Sequence, residues 1–127
     1  EAAEYLQRPV AMVQSEEAII HTIQTFKEDN IYIALQTSYV MKDGQTFIVW
    51  QDFYDPSVHS IGSSTHANEE PKVFNLSNGA TMYYGLDGYG DAYGQATWDY
   101  GQLFISGTRL ELSTLDELIQ TIIFVDQ

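Results

Sequence analysis

The chain contains no cysteine among its 127 residues. Disulfide bonds, thiolate metal sites and thiol nucleophiles are therefore excluded. The absence of cysteine does not identify a compartment, because cysteine-free proteins occur on both sides of a membrane. The first residue is Glu1 rather than methionine, so we expect an upstream segment that was removed or omitted.

Basic residues are also scarce. Lys and Arg number 5 against 18 Asp and Glu, which gives a formal net charge of −13. Proteins that bind nucleic acid draw affinity from Lys and Arg contacts with phosphate, so nucleic acid is not an expected partner. Long hydrophobic runs are missing too, since none approaches the roughly 18 residues of a membrane-spanning helix.

What the chain does contain is typical of a globular protein. Hydrophobic residues make up 44% and aromatic residues 13%, too many for a disordered chain. The length matches one domain, so we treat residues 1–127 as a single unit. Within it we expect a lead-in segment at 1–14, a long polar loop at 55–72 and a Gly- and Tyr-rich loop at 85–94.

A first amphipathic helix is predicted from Ser15 onward. Ser15 can cap its first turn, because a hydroxyl accepts a hydrogen bond from an N–H group that has no partner within the helix. Glu16 lies in the same turn. Ile19, Ile23 and Phe26 then recur at helical spacing on one face. His21 falls on the polar side of this helix.

A second amphipathic helix is predicted to begin near Leu115. Ser113 or Thr114 can cap it, and Asp116 and Glu117 place negative charge at the positive end of the helix dipole. Its apolar stripe, which we expect to dock on a sheet, consists of Leu115, Leu118, Ile119, Ile122 and Ile123.

The clearest β-hairpin joins residues 31–41 and 45–54 through Asp43-Gly44, a pair that suits a two-residue turn. If Lys42 pairs with Gln45, the register decides which side chains share a face of the hairpin, and one of the two faces is the better candidate for the core. Asp52 lies on that face, where a carboxylate needs a hydrogen-bond or charge partner. That face carries Ile33, Leu35, Thr37, Tyr39, Met41, Thr46, Ile48, Trp50, Asp52 and Tyr54. The other face remains apolar at Val40, Phe47, Val49 and Phe53, so we expect a helix, a ligand or a partner to cover it.

Two further hairpins follow. Asn78-Gly79 is a natural turn pair between strands 73–76 and 80–84. The stretch 98–105 forms two arms around a turn that contains Gly101. The order of helix, antiparallel strands and helix predicts the α+β class, which includes cystatin-like and other rolls.

The C-terminal region resembles an uncharacterised bacterial domain family. The resemblance runs from Asn78-Gly79 through Trp98-Asp99-Tyr100-Gly101 and an aliphatic strand to Ile105, and ends with Ser113-Thr114-Leu115-Asp116-Glu117-Leu118-Ile119. The family is found in the extracytoplasmic parts of Gram-positive sporulation, lipoprotein and anti-sigma-factor-like proteins. The resemblance implies a curved antiparallel sheet with packed helices, similar to lipoprotein-carrier proteins. Together with the helix predicted from Ser15, which is not diagnostic of the family, it leads us to expect an α+β fold with about six antiparallel strands packed with an N-terminal and a C-terminal helix. It implies a location outside the cytoplasmic membrane and no catalytic residues.

Candidate site residues come from one loop, 85–94, and from the first hairpin. Tyr89 and Tyr93 are candidate contact residues, since a rigid ring with a hydroxyl suits recognition. Asp87 and Asp91 are the candidate metal ligands, although the calcium-binding EF-hand spacing is absent. Phe47 and Val49 are candidate residues for an apolar ligand. No cofactor is expected.

Three functions remain open. The first is a non-catalytic extracytoplasmic binding or sensory module that recognises a protein or another cell-envelope component, with a membrane anchor upstream. The second is a carrier of a lipid or another apolar ligand, suggested by Val40, Phe47 and Val49. The third is a small hydrolase that uses His59 and His66, although neither a zinc-site frame nor a positioned serine is visible.

Overall fold

The computed structural model describes residues 10–28, 31–53, 72–87, 89–98 and 101–125. These ranges contain nine strands and one helix. In chain order they are β1 (Val10–Val13), β2 (Ala18–Glu28), β3 (Ile31–Met41), β4 (Thr46–Phe53), β5 (Lys72–Asn75), β6 (Thr81–Leu86), β7 (Ala92–Trp98), β8 (Gly101–Ser106), α1 (Leu112–Ile119) and β9 (Ile122–Val125). The predicted α+β class is therefore wrong, because the described chain is mostly β and contains no N-terminal helix.

The strands form one large sheet and one small one. Seven strands lie in the order β2-β3-β4-β8-β7-β6-β5, and β1 pairs with β9 in a separate two-stranded ribbon. Every pairing is antiparallel, which confirms the predicted antiparallel sheet. Most strands that lie side by side in the large sheet also follow each other in the sequence. Among the described strands of the large sheet, the one long-range join is β4 against β8, where Val49 lies opposite Ile105.

The predicted first helix is a strand instead. Ser15 does accept the hydrogen bond expected of a cap, from the Glu17 N–H at 3.1 Å, but the turn leads into β2. The segment is rich in β-branched residues, whose stiff side chains favour an extended backbone. Pairing with β3 runs from Ala18 opposite Met41 to Glu28 opposite Ile31, with two register shifts on the way.

The first hairpin exists, but its predicted register is wrong by one residue. Tyr39 lies opposite Phe47, and Met41 donates its N–H to the Gln45 carbonyl. The connection therefore has three residues and ends on Gly44 at φ +90°, rather than two. A one-residue slip moves every side chain of one strand to the other face, because the period of a strand is two. β4 therefore turns Phe47, Val49, Gln51 and Phe53 to the buried side, while Thr46, Ile48, Trp50 and Asp52 lie on the other side.

The other two hairpins are confirmed. In the first, β5 and β6 are joined through Ser77-Asn78-Gly79, with Gly79 at φ +89° and its N–H donated to the Leu76 carbonyl at 3.0 Å. In the second, β7 and β8 pair from Tyr93 opposite Ser106 to Trp98 opposite Gly101, so Gly101 is the first residue of β8 rather than part of the turn as predicted. The loop between β6 and β7 is shorter than the predicted 85–94, since β6 runs to Leu86 and β7 begins at Ala92.

One face of the large sheet, the inner face, is covered by the β1–β9 ribbon and α1. Buried residues of β1 and α1 belong to the same apolar cluster as those of β4, β6 and β8. Two buried side chains fix β1 in place. The Tyr39 hydroxyl accepts a hydrogen bond from the Val13 N–H at 3.0 Å, and the Gln51 Oε1 accepts one from the Ala11 N–H at 2.9 Å.

The C-terminal helix begins and ends earlier than predicted. It starts at Leu112 rather than near Leu115, and its N-cap is Glu111 in an extended conformation with no side-chain cap hydrogen bond. Its buried residues are Leu115, Leu118 and Ile119, as the apolar stripe predicted, whereas Ile122 and Ile123 belong to β9. The Asp116 carboxylate accepts a hydrogen bond from the Tyr84 hydroxyl instead of serving the helix end. That bond ties α1 to β6.

Candidate functional site

Two of the predicted site residues lie in the core. Phe47 is 1% exposed and Val49 is 3% exposed. The Phe47 ring stacks on Tyr39 with 4.8 Å between ring centroids and 5° between ring planes. The apolar character that suggested a ligand on this face is therefore met by the protein's own packing on the inner face.

Asp87 and Asp91 organise the turn between β6 and β7. One carboxylate oxygen of Asp87 accepts hydrogen bonds from the Tyr89 N–H at 2.8 Å and the Asp91 N–H at 3.0 Å. Asp91 accepts one from the Arg109 N–H at 2.8 Å, which supports Arg109 in a left-handed conformation at φ 62°. Such bonds from carboxylate to backbone are the ordinary way in which Asp stabilises a turn. Within the described ranges, no group of three or more His, Asp or Glu side chains is arranged to hold a metal ion.

An open cleft of about 270 Å³ lies beside this turn. The lining residues with polar side chains are Thr46, Ser106, Thr108 and the two Asp residues that organise the turn. The lining consists of Thr46, Phe47, Ile48, Asp87, Asp91, Ala92, Ser106, Gly107 and Thr108. The described lining of the cleft includes hydroxyl and carboxylate side chains but no His or Cys.

The remaining predicted residues are dispersed. Tyr89 lies at the tip of the β6–β7 turn and is 93% exposed, whereas Tyr93 is half-buried on the face opposite the inner face. We call that second face the outer face. Asp52 also lies there, not against the core, and it accepts hydrogen bonds from the Trp50 Nε1 at 2.7 Å and the Gln102 Nε2 at 2.8 Å. His59 and His66 lie outside the described residues.

Burial shifts the titration of two tyrosines. It raises the pKa of Tyr39, although the hydrogen bond from the Val13 N–H acts in the opposite direction. It also raises the pKa of Tyr84 to about 12, with further contributions from the hydrogen bond to Asp116 and from the negative charge of Asp116. A phenol with a raised pKa stays protonated at neutral pH, so both hydroxyls serve as structural hydrogen-bond groups rather than as bases.

The most exposed apolar region of the described chain is β2. This strand ends the large sheet and pairs with β3 alone among the described strands. Every side chain of residues 19–25 is exposed, and Ile19, Ile20 and Ile23 are 69%, 42% and 45% exposed. We call these three isoleucines and the outward backbone edge of β2 the β2 surface.

The position of the inner layer explains this exposure. The β1–β9 ribbon is held beneath β3 and β4 by the hydrogen bonds to Tyr39 and Gln51. It covers the inner face there and leaves β2 beyond its margin, so Ile20 and Ile23 remain exposed although they lie opposite the buried Tyr39 and Thr37. On the outer face, Ile19 lies opposite Val40 and is exposed as well.

An aromatic pair on the outer face adjoins the β2 surface. The rings of Phe26 on β2 and Trp50 on β4 lie 4.9 Å apart, tilted by 40°, across the intervening β3. Ile48 on the same side of β4 is 39% exposed. The apolar region therefore continues from the strand edge onto the outer face.

Sequence reasoning missed the β2 surface because it placed Ile19 and Ile23 on the buried side of a helix. The signal that could have revealed it is the density of β-branched residues in β2, where Ile19, Ile20, Thr22, Ile23 and Thr25 stand close together. A strand with apolar residues toward both faces is typical either of a buried central strand or of an interaction surface. Local sequence does not distinguish these two cases.

The one described helix, α1, has eight residues, and the described ranges contain no helix long and apolar enough to cross a membrane. Comparisons with protein-family models, with curated proteins and with solved structures found no match to this chain.

Proposed function

We propose that this domain is a non-catalytic binding module that recognises another protein through the β2 surface. One observation carries the proposal: an eleven-residue strand at the end of the sheet exposes Ile19, Ile20 and Ile23 together. Single exposed apolar residues are ordinary, but an apolar cluster on an edge strand is typical of an interaction site.

We further propose that the module acts outside the cytoplasmic membrane as a binding or sensory part of a bacterial cell-envelope protein. This location is supported by the resemblance of the region after Asn78 to the Gram-positive envelope family. A membrane anchor upstream of Glu1 would hold the module there.

The other two hypotheses have less support. The carrier hypothesis was prompted by Val40, Phe47 and Val49. Phe47 and Val49 are accounted for by core packing, and Val40 lies on the outer face opposite Ile19 and Thr46. The hydrolase hypothesis depends on His59 and His66, which lie outside the described residues.

The test is site-specific photocrosslinking in intact cells of the source organism that produce the full-length protein. The photoreactive residue p-benzoylphenylalanine replaces Ile20 in one strain and Ile123 in the control strain. The pair is matched because Ile20 is 42% exposed and Ile123 is 43% exposed, each on a strand. We expect one defined protein adduct at position 20 and none at position 123, and we expect external protease to degrade the module without cell lysis.

The captured partner is then purified and titrated with the isolated protein. Replacing Ile20 and Ile23 by Thr keeps the β-branched shape and removes apolar surface, so the Kd should rise at least about tenfold if both side chains are buried on binding. The control, Ile123→Thr, should leave the Kd unchanged. Equal crosslinking at both positions, or a Kd that does not respond to the double variant, would refute the β2 surface. Protection from protease until lysis would refute the extracytoplasmic location.

A further inference from the structure

The two edges of the large sheet are built differently. The β5 edge is four residues long and begins with Lys72, a short charged edge of the kind that resists pairing with other chains. The β2 edge is eleven residues long, and between Ala18 and Phe26 it has no acidic or basic side chain other than His21. Among the described strands, β2 thus offers the longer and less protected edge.

Part of β2 has the regular geometry that strand addition requires. Its pairing with β3 shifts register between Ile20 and Thr22 and again between Phe26 and Lys27. Between the two shifts, residues 22–26 keep an uninterrupted register with β3. An incoming strand can hydrogen-bond to such a regular segment, whereas bulges disrupt a ladder locally.

Charge around β2 bears on what can occupy this edge. Glu16 and Glu17 are exposed just before the strand, and the pairing of Glu17 with Lys42 is loose, with 3.9 Å between the charged atoms. At the other end the sequence reads Lys27-Glu28-Asp29, so each end has an excess of negative charge. If a second copy of this chain paired with the first through β2 in antiparallel orientation, the Glu16-Glu17 end of each β2 strand would lie near the Glu28 end of the other. With −13 on each molecule, like charges disfavour that pairing.

We infer that the β2 edge binds an extended peptide segment whose centre is apolar and β-branched and whose two ends carry Lys or Arg. The segment adds an eighth strand beside residues 22–26. The apolar centre covers Ile20 and Ile23, and the basic ends neutralise the acidic ends of β2. This inference rests on the proposed function and specifies the mode of binding and the chemistry of the partner.

The test uses synthetic peptides and the purified protein. The probe peptide alternates Thr with Val and Ile over seven central residues and carries two Lys at each end, and the matched control carries two Glu at each end. At low ionic strength we expect the Lys peptide to bind at least about tenfold more tightly than the Glu peptide, with the ratio shrinking as salt screens the ends. A third peptide, with Lys ends and every central backbone nitrogen methylated, should not bind because neither of its edges can complete the ladder.

Hydrogen exchange locates the contact. We expect the Lys peptide to slow amide exchange within residues 22–26 and to leave β5 unchanged. The inference is overturned if the Glu peptide binds as tightly, if the methylated peptide binds, or if no peptide protects β2. It is also overturned if the free protein dimerises with the same protection, because a second copy is then the occupant. A crosslinked partner at Ile20 without peptide selectivity would refute the inference alone, whereas failure of both experiments would refute the proposed function as well.

Discussion

Removal of the Tyr39 hydroxyl tests how the inner layer is held to the sheet. Tyr39 is 1% exposed, and its hydroxyl accepts a hydrogen bond from the Val13 N–H at 3.0 Å. In Tyr39→Phe the ring keeps its stacking on Phe47, but the N–H of Val13, which is itself 5% exposed, loses its acceptor. A buried donor left without a partner destabilises a protein by about 1–3 kcal/mol. The free energy of unfolding should fall by that amount.

The assay is equilibrium unfolding in urea, followed by tryptophan fluorescence. For a small protein, a loss of this size lowers the midpoint by an amount on the order of 1 M. The control is Tyr83→Phe, which removes the same atom from a side chain that is 45% exposed and should change the free energy by less than about 0.5 kcal/mol. If Tyr39→Phe is as stable as the control, with an unchanged slope, the hydroxyl does not hold β1 and our account of the inner layer is wrong.

Two further predictions concern the same layer and the sheet beneath it. The pKa of Tyr84 is raised to about 12 from an ordinary 10.0, so the folded state holds its proton more tightly than the unfolded state. Its contribution to stability is complete below pH 10 and is lost as the pH rises toward 12, and Tyr84→Phe should flatten the decline in thermal stability over that range; an unchanged decline would contradict the assignment. Gly101 lies where a Cβ would collide with the Asp52 carbonyl oxygen, so Gly101→Ala should destabilise the protein by roughly 1–3 kcal/mol in the urea assay. A neutral effect would show that β4 and β8 approach each other less closely.

Sequence reasoning succeeded where the determining interaction is local. Asn78-Gly79 and Asp43-Gly44 specify chain reversal within a few residues, so the hairpins they close could be predicted. The register of the first hairpin could not, because a two-residue and a three-residue connection both use Asp43-Gly44 and differ only in which residue Met41 pairs with. That single difference exchanged the faces of Phe47 and Ile48.

Sequence reasoning failed where contacts with distant parts of the chain decide the structure. Ile19, Ile23 and Phe26 fit a helical period, yet pairing with β3 makes the segment a strand. The join of β4 with β8 and that of β1 with β9 connect segments far apart in the sequence, and neither has a local signal. The candidate site shows the same division between local and tertiary causes. Tyr89 is exposed because it lies at the tip of a turn, which local sequence indicates. The exposure of the β2 surface depends instead on where the inner layer ends.

The β1–β9 ribbon determines how the domain responds to tension. Val10 lies opposite Val125, so the chain enters and leaves the described fold at adjacent points. A pull that separates these two points would open the ribbon one hydrogen bond after another, as a zipper opens, instead of shearing all of its bonds together. The ribbon would detach from Tyr39 and Gln51 before the seven-stranded sheet lost a strand, and the part of the inner face that the ribbon covers would be exposed.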